Sequence, residues 1–572
     1  MTALRGLHPA DRIARYQERG WWTDETVDRL FLERVAEGGD RIAIIDPANR
    51  PALLGSEPRR VTWAELGDEV YGLAARLLDL GLGQGQVLAV QLPNTIELAE
   101  VYWAAWLIGV TVSPMPVQYR EHEVLDMGNR AEFAVAIVAS RFGDRTPLQE
   151  WTSIQDRIPS LRTIVTFGDP SEATDGIPHL VPAAATEEDR ARVDAYRAEH
   201  PVDPNDCMTI CWTSGTEGVP KGVPRAHYEW MAMSWATTEA PRLTKDDVVL
   251  NPFPMVNMAG INGVLLAWLR SGCTVVQHHP FDLGVFLQQI QDERVSYTCA
   301  PPALLMMLLH NEGLMAKYDL SSLTRLGSGS VPLQPAMVRG WQEKHGVGVI
   351  NFFGSNEGIA LLSSVEDFPD PDDRARYFPR YGAEGVHWSS RVSEWIQLKL
   401  VDLTTGEEIT EPGRPGELRL GGPTVFPGYL GGTGDPFDED GYLKTGDIFE
   451  IAGDRNQFLK YVDRAKDLVI RGGMNIAPVE LEALIAEHPA VAEVAVVGDP
   501  DEVLGERVAA IVVLTPGHTL TFEELVQFLR DRKIASYKLP ERLEILTALP
   551  RNPVGKILKR ELRKLPAESG SR

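Results

Sequence analysis

Apolar residues recur at helical spacing in long segments, and a short β-branched run follows each segment. Residues 64–83, AELGDEVYGLAARLLDLGLG, place apolar side chains on one helical face and end in glycines, and the strand-like QVLAVQLP comes next. The same order returns in AEVYWAAWLIG with VTVSPMP, in LGVFLQQIQDERV with SYTCAPP, and in PAMVRGWQEKHGV with GVINFFG. This alternation predicts an α/β body with largely parallel sheets.

The most apolar stretch begins at Val101 and reads VYWAAWLIGVTVSPMP. It is too short to cross a bilayer, and Gly109 and Pro114 interrupt it. It therefore predicts a buried helix that runs into a buried strand, and no stable insertion into a membrane. The first residues, MTALRGLHPADRIARYQERGWW, mix charges with aromatic rings and lack the apolar region of a signal peptide.

Near residue 400 the pattern changes to short alternating strands, WIQLKLVDL, GELRLGG and FLKYVD, separated by turn-forming residues. These predict a small β-rich subdomain at about 395–463. A separate helix–strand–strand–helix pattern follows and is long enough for a small α+β domain. We expect an N-terminal domain at 1–463 and a mobile C-terminal domain at 464–572, with the boundary at Asp463 to Lys466.

The 572 residues carry a net charge of -25, and the sequence pI is near 5.0. This charge repels the nucleic acid backbone, and no basic run offers a local exception, so we expect no nucleic acid partner. The four cysteines form no C-x-x-C pair and predict buried thiols in a reducing compartment. We expect a cytoplasmic enzyme.

The stretch TSGTEGVPKG, Thr213 to Gly222, combines glycines, hydroxyls and one lysine after an apolar run. It is not a Walker A loop, because Pro220 precedes Lys221 and a glycine follows it where that loop needs a hydroxyl for Mg²⁺. Its hydroxyls, flexible backbone and positive charge still suit a polyphosphate, with a glycine-rich surface turn as the alternative. The predicted phosphate loop is Thr213, Ser214, Gly215, Thr216, Glu217 and Gly218, next to Lys221.

TSGTEGVPKG resembles the signature of the adenylate-forming superfamily, which includes acyl-CoA synthetases, aryl-CoA ligases, carrier-loading adenylation domains and luciferases. Further motifs follow in the family's order: VTWAEL, SGSVPL, NFFGSNEG, GELRLGGPTVFPGYL, YLKTGDI, DRAKDLVIRGGMNIAPVELE and PRNPVGKILKREL. The resemblance implies a large N-terminal body of two α/β sheets plus the β-rich subdomain, followed by the small C-terminal domain. It also implies ATP, AMP, Mg²⁺ and coenzyme A as ligands.

The matching motifs imply roles for individual residues. Glu357 is expected to position Mg²⁺ on the triphosphate with Thr216, since a carboxylate is a hard oxygen ligand; a solvated loop acid is the alternative. Asp447 matches the carboxylate that accepts the ribose hydroxyls, and Arg464 the arginine beside it; an ordinary turn residue and a surface charge are the alternatives. The segments expected to contact adenine or ribose contribute Ser330, Val331, Pro332, Asn351, Phe352, Phe353 and Gly354.

The C-terminal motifs imply that one domain presents two faces in turn. Lys556 matches the catalytic lysine that meets the substrate carboxylate and α-phosphate during adenylation. Lys221 and Glu357 are the other two residues expected to be catalytic. Lys466 lies at the family's hinge. The tunnel for the pantetheine arm of coenzyme A is expected at Gly472, Gly473 and Met474.

The residues expected at the acyl pocket are Asn257, Met258, Gly260 and Gly329. Asn257 stands where the family usually has histidine, and its amide cannot titrate. Asn356 stands where the family usually has a threonine that meets the α-phosphate. No aspartate is present for a substrate ammonium in NPFPMVNMAGING, and Met255, Met258, Ile261 and Leu265 suggest an adaptable apolar pocket. We expect a bulky alicyclic, aryl or medium-chain carboxylic acid.

The predicted function is ligation of that acid to coenzyme A through an acyl adenylate. We expect the enzyme to act in secondary metabolism. Asn257 and Asn356 support an alternative in which the enzyme is specialised for the thioester step on a preformed adenylate. Transfer to a carrier-protein phosphopantetheine is a second alternative, and a non-catalytic nucleotide-binding paralogue is a third. Glu357, Asp447, Arg464 and Lys556 together argue against the third. A homodimer is left open.

Overall fold

The computed structural model describes residues 4–213, 220–358, 360–432, 434–471, 474–501, 503–551 and 557–565. The chain divides into two compact units. The first is Met1–Gln397 with Leu420–Leu443, and the second is Leu398–Arg419 with Lys444–Arg572. The β-rich strands therefore fall mostly in the second unit, whereas the sequence pattern groups them with the N-terminal body. The boundary at Asp463 to Lys466 remains a prediction.

Helices α1 to α16 belong to the first unit and α17 to α19 to the second, among the residues described. In chain order they are Ala10–Glu18, Val27–Gly38, Arg50–Leu53, Trp63–Asp79, Ile96–Leu107, Glu121–Ala131, Pro147–Thr152, Glu187–Glu199, His227–Glu239, Met258–Gly260, Ala267–Ser271, Leu283–Asp292, Pro302–His310, Glu312–Met315, Pro335–His345, Pro371–Arg376, Pro478–Ile485, Phe522–Asp531 and Lys559–Leu562. A π-helical turn, Ile261–Leu266, joins α10 to α11.

Strands β1 to β26 are, in chain order, Ile42–Ile45, Arg60–Thr62, Val87–Gln91, Thr111–Pro114, Phe133–Val138, Thr163–Phe167, His179–Leu180, Cys207–Thr213, Lys221–Ala226, Val248–Asn251, Thr274–Gln277, Tyr297–Cys299, Arg325–Gly329, Gly348–Gly354, Ala360–Ser363, Tyr377–Pro379, Gln397–Val401, Glu408–Ile409, Gly416–Gly421, Leu443–Ala452, Phe458–Arg464, Val469–Arg471, Met474–Ile476, Val491–Asp501, Gly505–Leu514 and Arg542–Leu546.

Two largely parallel sheets form the first unit, which confirms the predicted α/β fold class. Over the described ranges, one sheet has the order β15-β14-β13-β12-β10-β11-β1-β2, and only its two edge strands are antiparallel. The other has the order β7-β6-β5-β3-β4-β8-β9, with β9 antiparallel. The carboxyl ends of β8, β13 and β14 carry the predicted site motifs, as parallel α/β sheets favour.

Local sequence explains where individual elements begin and how they are buried. Helix α4 starts at a capping box, because Thr62 Oγ1 accepts the N–H of Glu65 and the Glu65 carboxylate accepts the N–H of Thr62. All twelve residues of α5 are buried, as is the strand β4 that follows. This is the predicted buried helix and strand. None of the helices in the described ranges is long and apolar enough to cross a membrane.

The second unit contains two sheets of its own. The β-rich strands follow the order β21-β20-β19-β17-β18, and the C-terminal strands follow β23-β22-β25-β24, with β26 parallel to β25. Helices α17 and α18 contribute Leu481, Leu525 and Leu529 to an apolar core with β24 and β25. This is the compact α+β pattern that the sequence predicts.

Candidate active site

The β8–β9 hairpin fixes the two ends of the predicted phosphate loop. Thr213 and Lys221 are cross-strand partners in this antiparallel pair, and Trp212 faces Gly222 in the next position. Arg130 of α6 donates to the carbonyl of Pro220 and lies over the Trp212 ring. The remaining predicted loop residues lie outside the described residues: Ser214, Gly215, Thr216, Glu217 and Gly218.

Lys221, Tyr429 and Glu357 form a contact series beside these loop ends. Lys221 Nζ lies 4.7 Å from the centroid of the Tyr429 ring, a cation–π distance. The Tyr429 hydroxyl donates to Glu357 Oε1 at 3.0 Å. Burial raises the pKa of Tyr429, and the nearby Glu357 carboxylate raises it further, so the hydroxyl stays protonated and remains a donor. Tyr429 thus orients the carboxylate and supports the lysine with one side chain.

Arg225 connects two loops from inside the first unit. Its fully buried guanidinium donates to the carbonyl of Asn356 at 2.8 Å and to the carbonyl of Thr424 at 2.7 Å. It also lies over the Trp230 ring. Burial lowers the pKa of Arg225, and the Glu229 carboxylate opposes that shift. The arginine therefore fixes the main chain immediately before Glu357.

Both asparagines that depart from the family pattern are used within the protein. Asn356 Oδ1 accepts the main-chain N–H of Met258 at 2.8 Å, and Asn257 Oδ1 caps the first turn of α10 through the N–H groups of Ala259 and Gly260. An added Cβ at Gly260 would lie 2.2 Å from the carbonyl oxygen of Pro254, so this close approach requires glycine. The α10 turn continues into the π-helical turn, a feature frequent at functional sites.

Gly329, one of the predicted acyl-pocket residues, lies opposite Phe352 of the predicted adenine segment. A Cβ at Gly329 would lie 2.1 Å from the carbonyl oxygen of Phe352, so these strands pack too closely for a side chain there. Ser330 follows with φ of 72°, and Val331 and Pro332 are exposed. Phe353 lies near Phe378, with 5.7 Å between ring centroids. Met255, Ile261 and Leu265 are fully buried, which places them in the core.

Asn351 has a role inside the fold. Its side chain is buried, and its amide nitrogen donates to the carbonyls of Arg374 and Ala375 at the end of α16. The predicted contact of Asn351 with adenine stays a prediction, as do those of Phe352, Phe353 and Gly354.

The predicted ribose pair lies in the second unit. Asp447 and Arg464 are cross-strand partners on β20 and β21, and Arg464 Nε donates to Asp447 Oδ1 at 3.0 Å. Asp447 is only 2% exposed. Its carboxylate raises the pKa of Arg464, although burial acts in the opposite direction. The structure therefore brings together two residues that lie 17 positions apart in the sequence.

The other predicted residues of the second unit are only partly described. Lys466 is exposed at the end of β21, and its carbonyl accepts from Arg563, which also binds the Asp467 carboxylate. Met474 is exposed on β23. Lys556, Gly472 and Gly473 lie outside the described residues.

Sequence reasoning did not find Tyr429 or Arg225 as site residues. Tyr429 is the tyrosine of the quoted GELRLGGPTVFPGYL motif, so the signal was present without a role attached. Arg225 lies four residues after Lys221 on β9, and alternation places both on one face of the strand. The sequence signal for Arg225 was a second positive charge on the strand face that carries Lys221.

The surroundings of Glu357 are compatible with its predicted role as a Mg²⁺ ligand. Within the described ranges there is no group of three or more His, Cys, Asp or Glu side chains that could hold a metal ion. Mg²⁺ usually binds one or two carboxylates together with water and substrate phosphates. A single oriented carboxylate beside the ends of the predicted phosphate loop matches this coordination.

Family models identify the class. Residues 31–430 match the model described as AMP-binding enzyme, and residues 480–556 match its C-terminal domain. The chain therefore belongs to the AMP-binding enzymes of the adenylate-forming superfamily, and it binds ATP or AMP. Its curated relatives include several proteins named as CoA ligases, which confirms the predicted enzyme class, an ATP-dependent acid–thiol ligase.

Individual relatives align over nearly their whole length. A 3-[(3aS,4S,7aS)-7a-methyl-1,5-dioxo-octahydro-1H-inden-4-yl]propanoyl:CoA ligase of Rhodococcus jostii is 31% identical over 88% of this chain and 93% of its own. A salicyl-AMP ligase / salicyl-S-ArCP synthetase of Mycobacterium tuberculosis is 30% identical over 97% and 93%. The crystal structure of ATP-bound MatB from Rhodopseudomonas palustris has a TM-score of 0.74 and 25% identity, covering 94% of this chain and 98% of that one.

Proposed function

We propose that this enzyme joins a bulky apolar carboxylic acid to coenzyme A in two steps. In the first, a carboxylate oxygen attacks the α-phosphorus of ATP and pyrophosphate leaves. In the second, the thiol sulfur of coenzyme A attacks the acyl carbon, its proton is lost, and AMP leaves. The observation that carries the proposal is the Lys221–Tyr429–Glu357 series at the ends of the phosphate loop.

Each residue has a defined task in the first step. Lys221 supplies positive charge to the phosphates, and Tyr429 keeps it in place through the ring face. Glu357 is oriented by the Tyr429 hydroxyl and would be the protein ligand of Mg²⁺. When bound, Mg²⁺ neutralises charge that develops on the phosphate oxygens.

Nucleotide binding is proposed to use Asp447 and Arg464. A carboxylate has two acceptor oxygens, which suits the two ribose hydroxyls, and Arg464 already orients Oδ1. Asn356 is proposed as the α-phosphate donor, because Met258 occupies its carbonyl oxygen and thereby aligns its amide. Lys556 would act during adenylation, and Gly472, Gly473 and Met474 during the thioester step.

The substrate class rests on two separate observations, one at Met258 and one at the end of β13. Met258 is partly exposed beside the capped α10 turn, and Gly329 and Phe352 pack at the end of β13. These groups are apolar or small, and no described aspartate stands in the 251–263 segment to pair with an ammonium. A bulky alicyclic or aryl acid fits this chemistry, and the two relatives named above act on acids of those kinds. A medium-chain acid is also apolar and belongs to the same proposed substrate class.

A carrier protein is an alternative to coenzyme A as the acyl acceptor, since one relative is named as a salicyl-S-ArCP synthetase. Arg471, a candidate for a coenzyme A phosphate, pairs with Glu541 through two hydrogen bonds. Arg464 is likewise paired with Asp447. Transfer to a carrier-protein phosphopantetheine is therefore the second candidate function, and comparing thioester formation with each acceptor decides between them.

One experiment tests substrate, acceptor and half-reaction together. A panel of alicyclic, aryl, medium-chain and amino acids is assayed for AMP release with and without coenzyme A, and pyrophosphate exchange is measured on the best acid. We expect release with a bulky apolar acid, and an increase on adding coenzyme A. Release only with amino acids would contradict the proposal. Thioester formation from a supplied adenylate without pyrophosphate exchange would indicate an enzyme specialised for the second step.

A further inference from the structure

Three consecutive carbonyls after β19 each accept a hydrogen bond from a different side chain. Trp22 Nε1 donates to Pro423 at 2.9 Å, Arg225 Nη2 to Thr424 at 2.7 Å, and Arg12 Nη2 to Val425 at 2.8 Å. Pro423, Thr424 and Val425 are all buried. Buried carbonyls need such partners, so these three donors determine where the segment 423–425 lies.

The same segment contacts the loop that carries Glu357. The N–H of Phe426 donates to the carbonyl of Glu357 at 3.0 Å, and Thr424 Oγ1 donates to the carbonyl of Gly358 at 2.9 Å. Gly358 has φ of 122°, and an added Cβ there would lie 2.2 Å from the Thr424 carbonyl oxygen. The two loops therefore pack directly against each other.

Two of the three donors come from the N-terminal segment, which precedes the matched family region at residues 31–430. Trp22 is 2% exposed and stacks on Tyr228, with 4.4 Å between ring centroids. The Arg12 guanidinium lies over the rings of Tyr16 and Trp22. The two side chains therefore support each other as well as the segment 423–425.

We propose that Trp22 and Arg12 are positioning residues for Glu357. Through Pro423 and Val425 they fix the segment 423–426, and its Phe426 N–H fixes the main chain of Glu357. Tyr429, three residues further on, orients the carboxylate of the same residue. The proposal rests on the proposed role of Glu357 as the Mg²⁺ ligand, and it assigns the N-terminal segment a part in shaping that site.

The test uses the full-length enzyme and variants that remove one donor each. Trp22→Phe deletes the indole N–H and keeps an aromatic ring, and Arg12→Met deletes the guanidinium and keeps most of the stem. Arg15→Met is the matched control, because Arg15 lies on the same helix and contacts Tyr16. Glu357→Gln is measured in parallel. Hydrogen–deuterium exchange of the peptide 424–430 is followed without ligand, alongside thermal unfolding and the Mg²⁺ dependence of pyrophosphate exchange.

We expect amide exchange in 424–430 to be at least tenfold faster in Trp22→Phe and Arg12→Met than in wild type and Arg15→Met. The Mg²⁺ concentration for half-maximal activity should rise about five- to tenfold in the same two variants, with the KM for the acid unchanged. Lower melting temperatures with wild-type exchange in 424–430 and a wild-type Mg²⁺ requirement would show a structural role only and overturn the proposal.

The parallel variant separates this proposal from the proposed function. If Glu357→Gln raises the Mg²⁺ requirement while Trp22→Phe and Arg12→Met do not, the positioning role is wrong and the function stands. If Glu357→Gln keeps the wild-type requirement, the metal role of Glu357 is wrong, and the positioning of a metal ligand by Trp22 and Arg12 is wrong with it.

Discussion

The side-chain carbonyl of Asn356 accepts the main-chain N–H of Met258 at 2.8 Å, which ties the loop before Glu357 to the first turn of α10. One amide thereby joins a segment that is predicted to bind the acid to a segment that is predicted to bind the nucleotide. In the family pattern a threonine stands at this position, and its shorter side chain would place the acceptor elsewhere.

Replacing Asn356 should separate its two hydrogen-bonding groups. Asn356→Asp keeps an acceptor for Met258 and adds negative charge near the phosphates, so we expect adenylation kcat to fall at least tenfold, about 1.4 kcal/mol, with little change in the KM for the acid. Asn356→Thr loses the Met258 contact and should raise the KM for the acid several-fold. Pyrophosphate exchange at varied acid concentration measures both, and equal changes in the two variants would contradict this division.

Removing the Tyr429 hydroxyl should affect the metal more than the nucleotide. In Tyr429→Phe the ring still lies by Lys221, while Glu357 loses a hydrogen bond of about 1 kcal/mol. The Mg²⁺ concentration for half-maximal AMP release should rise about fivefold. Tyr429→Leu also removes the cation–π contact and should raise the KM for ATP as well. An unchanged Mg²⁺ requirement in Tyr429→Phe would disprove the orienting role.

Asp447→Asn should weaken ATP binding specifically through the ribose. The amide can still accept from Arg464 but offers one acceptor oxygen in place of two. We expect the KM for ATP to rise about tenfold or more, since a charged hydrogen bond contributes about 1.5–3 kcal/mol. The KM for 2′,3′-dideoxyATP should change less than twofold. Equal increases for both nucleotides would place Asp447 away from the ribose.

The pH dependence of stability should report Asp463. Burial raises its pKa to about 6, and Lys559 opposes the shift. The folded protein then binds more protons than the unfolded chain, so this carboxyl stabilises below about pH 4, and that contribution is lost as pH rises through 6. Asp463→Asn should therefore gain stability relative to wild type from pH 4.5 to 7.5, by about 2 kcal/mol over this range.

Urea unfolding of the two proteins at several pH values measures this difference. Asp531→Asn, an exposed carboxyl on α18 of the same unit, is the charge-matched control and should show no such trend. A difference between Asp463→Asn and wild type that stays constant with pH would contradict the raised pKa.

Lys556→Ala should abolish the first half-reaction and leave the second largely unchanged. We expect loss of pyrophosphate exchange, because the lysine is proposed to meet the charge that develops during adenylation. Thioester formation from a supplied acyl adenylate should continue at close to the wild-type rate. Equal loss of both steps would count against a C-terminal domain that presents two faces in turn.

Local patterns in the sequence were sufficient to predict the helices and strands and the candidate site residues that lie within motifs. The run from Val101 predicted the buried α5 and β4, and the KTGDI and DRAKD motifs marked Asp447 and Arg464, which the structure pairs across two strands. Such features depend on periodicity and on neighbouring residues, which one chain displays directly.

Contacts over long sequence distances could not be predicted in this way. Trp22 and Pro423 lie 401 positions apart, and Arg225 and Thr424 lie 199 apart. Neither pair has a local signature, because a tryptophan or arginine near an aromatic cluster is compatible with many partners. The capping role of Asn257 was likewise hidden, since its partners depend on the turn that α10 adopts.

The position of Trp22 and Arg12 affects where a truncated form of this enzyme should begin. A fragment that starts at residue 31, where the family match begins, would retain every residue proposed here to touch the nucleotide. It would still lose two of the three donors to the carbonyls of 423–425. Under the proposed positioning role, the family limits and the limits that keep the surroundings of Glu357 intact differ by at least the nineteen residues from Arg12 to Leu30.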